Sequence, residues 1–332
     1  MHQIVQDRGR GKLRIAEVPI PTVETGHVLV ANVASVISAG TEKSVRELAR
    51  GSLVKKARAR PDQVRRVLQK VKQEGLLPTL RQVRGLLREP VPLGYSSSGV
   101  VLACGAGVEG FRPGDRVASN GPHAGAVSVP KHLCALVPDA VPHDQAAFAV
   151  IGAIALQGVR LARLSLGETA HVIGLGLVGQ IAVALLKASG CRVLGVDLDA
   201  ARCALALRMG ADEASTELDH EAVRARTGGL GADGVLITAA TSSSGPIEAA
   251  GRAVRKKGRV VVVGAVGLDV PREVYYPKEA EIVVSCSYGP GRYDPNYEDR
   301  GRDYPAPYVR WTEQRNLQAV LRLMESGDLD VA

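Results

Sequence analysis

Three glycines spaced as Gly174-x-Gly176-x-x-Gly179 stand between an apolar segment and a helical pattern. The first glycine of such a set permits a tight turn out of a strand. The second lets a pyrophosphate approach the backbone, and the third allows the following helix to pack closely on the strand. A helix that begins near Leu177 directs its free N–H groups and its positive dipole end at the phosphates. The spacing therefore predicts a dinucleotide site.

A carboxylate completes this pattern, because a second predicted strand ends at Asp197, 23 residues after Gly174. A carboxylate at that place accepts both ribose hydroxyls of NAD and repels the 2′-phosphate of NADP, so we predict NAD. A turn that holds an S-adenosyl group or FAD is the alternative, and the complete fingerprint favours NAD. Asp199 is expected to cap the next helix. Arg202 either flanks the adenosine or is a solvated helix charge.

The predicted cofactor site combines the glycine turn with residues that end the next strands. Its members are Gly174, Gly176, Leu177, Val178, Gly179, Asp197, Leu198, Arg202, Ala239, Gly264 and Ala265.

The second half of the chain alternates strands with helices. The segments HVIGLGLVG, CRVLGVDLD, GADGVLITAA and KGRVVVVGAVG each contain a predicted strand, and helices are predicted over 179–189, 199–209 and 245–256. Gly190 and Gly210 follow two of these helices, where a C-terminal cap prefers glycine. Alternation at this pitch predicts a parallel sheet covered on both faces, which is an α/β fold of the doubly wound Rossmann type.

The first half has a different texture, with short apolar runs and turn signals over 12–36 and 98–137. This texture predicts a small β-barrel domain. Between the two runs, apolar residues at helical spacing predict two or three short amphipathic helices. The predicted organisation is a barrel domain over 1–146 with an insert over about 43–90, a nucleotide domain over 147–311 with an aromatic loop over 286–311, and a C-terminal helix within 312–332.

Composition restricts the class of protein. The 332 residues are 45% hydrophobic and 23% charged, which is typical of a soluble two-domain protein. No apolar run is long enough to span a membrane and the N-terminus lacks a secretory signal, so a cytoplasmic location is predicted. The five cysteines are scattered and never form a C-x-x-C pair, which argues against a disulfide framework or a thiolate zinc cluster.

The net charge of +8 comes from one segment, since residues 43–89 contain fourteen Lys or Arg against four Asp or Glu. Such a segment either recruits a polyanion or an anionic lipid surface, or packs its apolar faces on the barrel while its charges stay solvated. A platform for single-stranded nucleic acid needs aromatic residues among its charges, and residues 43–89 contain none. We therefore favour the solvated interpretation and expect no nucleic-acid partner.

Two motifs, GVEGFRPGDRV at 107–117 and GLGLVG at 174–179, make the chain similar to the medium-chain dehydrogenase/reductase superfamily. That superfamily includes zinc alcohol dehydrogenases and quinone reductases. The resemblance covers most of the chain outside the basic insert. It implies a GroES-like substrate domain, a Rossmann domain that binds the nicotinamide cofactor, and an active-site cleft between them.

Four further stretches, VISAGTEKS, LGYSSSGVV, GAIALQGVR and the late SYGPGRYDPNYEDRGRDYPAPYVRWTEQRN, resemble a zinc-free bacterial branch of that superfamily. Members of this branch are often joined to a second oxidoreductase domain of the glucose-fructose oxidoreductase or inositol dehydrogenase type. SAGTEK also resembles the bacteriochlorophyllide alcohol dehydrogenases, which act on a secondary alcohol. The chain stops at SGDLDVA, before the elements that usually complete the barrel, so we expect it to be a portion of a longer protein.

Departures from the zinc enzymes predict that no zinc is bound. Their CGTD-like and GHE motifs correspond here to the stretches from Ala39 to Glu42 and from Gly94 to Ser96, and the later cysteine position falls in the cysteine-free FAVIGAIALQG. Ala39 and Tyr95 cannot replace a thiolate and an imidazole in a tetrahedral zinc shell. The four-cysteine lobe that often binds a structural zinc is also absent from the sequence.

Without zinc, a proton donor must assist hydride transfer. The resemblance makes Tyr95 a candidate donor and Thr41 the hydroxyl that passes the substrate proton, while Lys43 could lower the pKa of either. Alternatively, Tyr95 fills the former metal site, Thr41 is a turn hydroxyl and Lys43 is a solvated charge. Glu42 matches a carboxylate that supports the metal ligands, and Ser96 matches the glutamate of GHE. We expect His123 to be a solvated loop histidine and His171 to be structural.

Eight of the eleven aromatic residues fall between Tyr275 and Trp311. This aromatic segment either binds a ring such as a sugar, with Arg292 and Arg310 holding an anionic group, or packs a subunit interface. The main hypothesis is a zinc-independent NAD-dependent oxidoreductase that interconverts an alcohol and a carbonyl on a polar substrate such as a sugar derivative. We expect it to be a homo-oligomer, most simply a dimer. The alternatives are a carbon–carbon double-bond reductase and a non-catalytic polyanion-binding module.

Overall fold

The computed structural model describes residues 1–7, 11–40, 42 and 90–332. Thr41 and the basic segment 43–89, with Lys43 and the helices predicted there, lie outside the described residues.

The N-terminal half contains eight described strands. They are β1 (His2–Asp7), β2 (Leu13–Glu17), β3 (His27–Ser35), β4 (Pro90–Pro92), β5 (Ser97–Cys104), β6 (Arg116–Ser119), β7 (Ala126–Pro130) and β8 (Cys134–Leu136). The larger sheet has the antiparallel order β7-β3-β5-β6-β8 and the smaller one β2-β1-β4. Alternate β-branched residues such as Val28, Val30 and Val101 point into a shared core. This is the antiparallel β domain that the sequence predicts.

Six strands form the second sheet. They are β9 (Thr169–Ile173), β10 (Arg192–Val196), β11 (Glu213–Ser215), β12 (Ala232–Ile237), β13 (Val254–Val262) and β14 (Glu281–Val284). Every pair is parallel, and the order is β11-β10-β9-β12-β13-β14. All residues of β9 are buried, as a central parallel strand requires. The chain reverses its direction of winding between β9 and β12, which is where such sheets bind ligands at their carboxyl ends.

Eight described α-helices connect and cover these sheets. They are α1 (His143–Ala146), α2 (Ala149–Ala162), α3 (Leu177–Ala188), α4 (Ala200–Arg208), α5 (His220–Arg226), α6 (Gly245–Ala253), α7 (Arg272–Tyr275) and α8 (Glu313–Glu325). Gly190 and Gly210 have φ of 77° and 101°, which confirms the predicted glycine caps. The helix predicted to reach residue 256 ends at Ala253, because Val254 takes an extended conformation and begins β13.

Helix α8 lies against both halves of the molecule. Its apolar face packs on α2 so closely that a Cβ on Gly152 would lie 2.6 Å from a methyl of Val320. On its other side, Gln314 donates to the carbonyl oxygens of Lys131 and Cys134 at 2.8 and 2.9 Å. The predicted C-terminal helix is therefore confirmed, and it connects the β domain to the parallel sheet. None of the helices in the described ranges is long and apolar enough to cross a membrane.

Candidate active site

The glycine turn follows β9 at the carboxyl edge of the parallel sheet. Gly174 has a φ of 95°, and a Cβ there would lie 2.6 Å from the backbone nitrogen of Ala239. A Cβ on Gly179 would lie 2.0 Å from the carbonyl oxygen of Gly174, whereas a Cβ on Gly176 would meet no atom within 4 Å. Packing therefore requires the outer two glycines, while the middle one borders open space.

Helix α3 begins directly at this open space. Gly176 is its N-cap, no side chain caps the helix, and its first turn has no acidic residue. Leu177 and Val178 are half-buried and pack on the hydrophobic core that α2, α3 and α8 share, which fixes the direction of helix α3. The first-turn N–H groups are left for an anion, as a pyrophosphate site requires.

Asp197 is fixed beside the glycine turn. Its carboxylate accepts a 2.7 Å hydrogen bond from the Leu175 N–H and a 3.0 Å bond from the Asp199 N–H, and its side chain is 9% exposed. Arg202 lies 3.4 Å from Asp197 and 3.6 Å from Asp199, so it is paired with both carboxylates at the edge of the site. Asp199 also accepts from the Ala201 N–H, which confirms the predicted helix cap.

The other predicted cofactor residues lie on the same edge. Ala239 follows β12 and donates its N–H to the Ile173 carbonyl at 3.1 Å. A Cβ on Gly264, after β13, would lie 2.0 Å from the Ala239 carbonyl oxygen. Ala265 accepts from the Thr241 N–H at 2.9 Å, and Leu198 is exposed. The structure thus brings the predicted cofactor residues together around the point where the winding reverses, and their contact with the cofactor stays a prediction.

Tyr95 and Ser96 lie where β5 begins. Tyr95 is half-buried and packs on the same core as Leu177 and Val178. Ser96 is 1% exposed and donates its hydroxyl to the Ala147 carbonyl at 2.5 Å, while its own carbonyl accepts from the Val36 N–H. The hydroxyl proton of Ser96 is therefore held by a backbone oxygen, which favours a structural role.

His123 is the buried partner of Glu42. Its Nε2 lies 3.2 Å from Oε1 of Glu42, its Nδ1 lies 2.9 Å from Oγ of Ser35, and its side chain is 5% exposed. The ring lies against Gly94, where a Cβ would approach it to 2.7 Å. The expectation that His123 is solvated is wrong, because its side chain is buried. Since 81 residues separate His123 from Glu42 in sequence, no local pattern indicates the pair.

These residues do not fit a catalytic zinc ion. All seven histidines and five cysteines of the chain are in the described ranges, and no cluster of three metal-binding side chains forms there. Glu42 follows Ala39 by three residues and bonds His123, whose ring lies against Gly94, and both ring nitrogens of His123 have partners. A catalytic zinc needs three protein ligands, and no such group of three forms among the described residues.

Asn120 links this end of the β domain to the loop after β14. Register places Ser97 opposite Ser119, so Ser96 and Asn120 lie at the same end of their strands. Asn120 donates to the hydroxyl of Tyr288 at 3.4 Å, and burial raises the pKa of Tyr288. Neither Asn120 nor the position of Tyr288 could be predicted from the sequence, because neither residue belongs to a recognisable motif.

Near Tyr288 lie three ionisable side chains that are largely shielded from solvent. Arg292 bonds Glu298 at 2.5 Å, and Glu313 at the start of α8 is fully buried, with no partner for either carboxyl oxygen among the described residues. Burial, followed by the nearby negative charge of Glu298, raises the pKa of Glu313 to about 8. Glu313 is therefore largely protonated at neutral pH.

Other rings of the aromatic segment pack within the chain. Tyr297 is fully buried, lies 4.3 Å from the His132 ring and 5.3 Å from the Tyr304 ring, and bonds Thr312. Trp311 contacts the guanidinium groups of Arg160 and Arg310 at 3.5 and 4.0 Å. Tyr297 and Trp311 therefore stabilise the loop from within, whereas Tyr276, Tyr293 and Tyr308 of the same segment are exposed.

The chain is similar to known dehydrogenases. A family model described as zinc-binding dehydrogenase matches residues 178–298. The matched range lies in the parallel-sheet half and does not include Ala39, Tyr95 or Ser96. A D-guloside 3-dehydrogenase from Escherichia coli K12 is 31% identical over 268 residues, which are 74% of this chain and 69% of that protein.

Solved structures show the same fold at lower identity. Galactitol-1-phosphate dehydrogenase from Escherichia coli is 19% identical with a TM-score of 0.71, covering 100% of this chain and 90% of that one. A quinone oxidoreductase from Pseudomonas syringae is 20% identical with a TM-score of 0.68, covering 99% and 90%. Because these two proteins are named for different substrates, the shared fold does not define the reaction.

Proposed function

The chain belongs to the medium-chain zinc-binding dehydrogenase superfamily, and we propose that it is a zinc-independent, NAD-dependent enzyme that interconverts a secondary alcohol and a ketone on a polar, sugar-derived substrate. The observation that carries the cofactor assignment is the fixed carboxylate of Asp197 beside an uncapped helix N-terminus. The substrate class is supported by the relative that is named for oxidation of a guloside at carbon 3.

The cofactor is assigned to the turn and its neighbours. The first-turn N–H groups of α3 would hold the pyrophosphate next to Gly176, where the backbone leaves open space. Asp197 would accept the adenosine ribose hydroxyls, and its charge would exclude a 2′-phosphate. When bound, NAD supplies the hydride acceptor for alcohol oxidation. The protein then has to orient the alcohol and to remove its hydroxyl proton.

Independence from zinc is supported by the donor set. Ala39 and Tyr95 stand at two matched ligand positions, and the nearby Glu42 and His123 already bond each other. Metal analysis of the purified, active protein by plasma mass spectrometry is expected to find much less than one zinc per chain, and dialysis against a chelator should leave the rate unchanged. Stoichiometric zinc that is required for turnover would reject this part of the proposal.

A polar substrate is supported by the side chains that join the two halves. Asn120 and Tyr288 provide an amide and a phenol at the end of the β domain. Amides and hydroxyls bind sugar hydroxyls, and aromatic faces pack on sugar rings. Buried polar groups of this kind also reject apolar analogues, because such analogues would leave them unpaired.

The reaction itself is tested with NADH that carries deuterium at the transferable position. Ketoglycosides and cyclic enones are incubated separately, and the label is located by NMR. We expect the label on a carbinol carbon of the sugar product. Label on a former alkene carbon, with no turnover of ketoglycosides, would instead support the double-bond reductase. Asn120→Ala should raise KM for the sugar while leaving the NADH affinity at the parent value.

A further inference from the structure

We propose that Glu42, His123 and Ser35 form a proton relay that connects the active-site cleft to solvent. This inference rests on the proposed alcohol–ketone chemistry, which releases one proton for each alcohol oxidised. It assigns to His123 and Ser35 a role that none of the matched motifs indicates.

The three side chains form a continuous chain of hydrogen bonds. Oε1 of Glu42 lies 3.2 Å from Nε2 of His123, and Nδ1 of His123 lies 2.9 Å from Oγ of Ser35. Both distances are within the range for direct proton transfer. The two ring nitrogens therefore face different partners, as a group that accepts a proton on one side and releases it on the other requires.

The different exposure of the three side chains gives this series of hydrogen bonds a direction. The His123 side chain is 5% exposed and that of Glu42 16%, whereas Ser35 is an exposed residue at the end of β3. Glu42 follows Ala39 by three residues, and the His123 ring rests on Gly94, next to Tyr95. We therefore place the carboxylate, which belongs to the same matched motif as Ala39, at the substrate end of the relay, with the buried imidazole between it and the exposed hydroxyl of Ser35.

The surroundings hold the groups in place and leave them able to exchange protons. The Ser38 N–H donates to Oε1 of Glu42 at 3.0 Å, so Oε2 takes no part in the two contacts that fix the carboxylate. The backbone of His123 is held on both sides, by the Leu93 carbonyl and the Ile4 N–H. Because a hydroxyl can donate or accept, Ser35 suits both the neutral and the protonated ring.

The proton balance of the step is simple. With NAD bound to accept the hydride from the carbinol carbon, the substrate O–H bond would break and the carboxylate of Glu42 would take the proton. His123 accepts that proton at Nε2 and gives up the one on Nδ1 through Ser35 to water. Ketone reduction uses the reverse path, with water as the proton source. The transfer leaves no net charge on the three residues but leaves the ring as its Nε2–H tautomer, and exchange of the ring protons with water restores the Nδ1–H form before the next cycle.

The test compares His123→Gln with the parent enzyme during alcohol oxidation. His220→Gln is the control, since His220 lies 3.4 Å from Glu221 on the surface and so forms a similar pair away from the site. We expect kcat of the His123 variant to fall about 100-fold, as for loss of an acid–base group, while KM and NAD affinity change less than threefold. The solvent deuterium isotope effect should rise, and added imidazole should restore part of kcat.

Ser35 provides a second, milder test, because it is exposed and its replacement does not disturb the core. Ser35→Ala should lower kcat about threefold to tenfold, and Ser35→Thr should recover most of it. An unchanged kcat in the His123 variant overturns the relay. So does a loss of kcat that imidazole does not rescue and that leaves the solvent isotope effect at the parent value, since that pattern indicates a structural role.

A measurement without turnover separates failure of the relay from failure of the proposed function. In protein with ¹⁵N-labelled histidine, the exchange of the His123 ring protons with water is followed by NMR. Ser35→Ala should slow this exchange at least threefold, and an unchanged rate counts against the relay. If no alcohol or ketone is turned over while the exchange still depends on Ser35, the proposed function fails and the relay geometry stands.

Discussion

Two walls of the candidate site are built by different physical means. The glycine edge, formed by Gly174, Gly176, Gly179, Asp197 and Gly264, is defined by how closely backbones approach each other. The polar wall, formed by Glu42, Ser96, Asn120, His123 and Tyr288, is defined by side-chain hydrogen bonds to partners far apart in sequence. A backbone turn is a local property, so a short motif can specify it. A side-chain network depends on the folded topology, so no short motif can specify it.

The largest effect is expected on the glycine edge, from Gly179→Ala. The new Cβ would lie 2.0 Å from the Gly174 carbonyl oxygen, so helix α3 must move away from the strand. We expect a loss of about 3 kcal/mol in the free energy of unfolding and no measurable NAD binding. Urea denaturation and calorimetric titration check both values. A stable variant that binds NAD would show that backbone approach does not define this edge.

Gly176→Ala separates cofactor binding from folding at the same turn. A Cβ there meets no protein atom within 4 Å, so the Tm should stay within about 2 °C of the parent. The methyl group would enter the space assigned to the pyrophosphate, and NAD affinity should fall about 30-fold, or roughly 2 kcal/mol. If titration gives the parent affinity, the pyrophosphate does not lie at Gly176.

Glu313→Gln examines the buried charges below the polar wall. Since burial raises the folded-state pKa of Glu313 to about 8, the folded state retains a proton that the unfolded carboxyl loses above its ordinary pKa of 4.5. This contribution makes stability fall as pH rises between these two values. The stability of the variant relative to the parent should therefore rise as the pH increases from 5 to 8, because glutamine has no proton to lose.

Urea denaturation across that pH range measures the difference. Glu325→Gln, at the exposed end of the same helix, is the matched control and should leave the pH dependence unchanged. An equal gain for both variants would mean that the buried position of Glu313 has no special effect.

Asp197→Asn concerns cofactor choice. Asparagine keeps an oxygen for the Leu175 N–H, which lies 2.7 Å from the present carboxylate, but removes the charge. The ratio of NAD to NADP affinity should fall about tenfold, or roughly 1.4 kcal/mol. Asp199→Asn, which retains a helix-capping oxygen, is the control. A parent protein that binds both cofactors equally would contradict the role given to Asp197.

The smallest effect is expected from Ser96→Ala on the polar wall. The buried Ala147 carbonyl would lose its 2.5 Å donor, at a cost of about 1 kcal/mol in stability. Because the hydroxyl proton is already held by the backbone, kcat should remain within about twofold of the parent. A 100-fold fall in kcat with unchanged stability would restore Ser96 as a catalytic candidate.

The same contrast explains how much could be predicted from the sequence. The sequence predicts the parallel sheet, the glycine turn, the cap at Asp199 and the C-terminal helix, since each depends on spacing within about 25 residues. His123 was predicted to be solvated because its partners Glu42 and Ser35 are 81 and 88 residues away. Likewise, Asn120 and Tyr288 meet across 168 residues, a distance that only the folded topology bridges.

The loop after β14 has a consequence for how this scaffold can diversify. It meets the β domain through Tyr288 and Asn120, and its end begins α8, which holds the backbone of Lys131 and Cys134. It bears none of the glycines of the cofactor turn. Changes in its length or side chains can therefore remodel the space for a substrate while the cofactor turn is inherited unaltered, so substrate range and cofactor choice can evolve as separate traits.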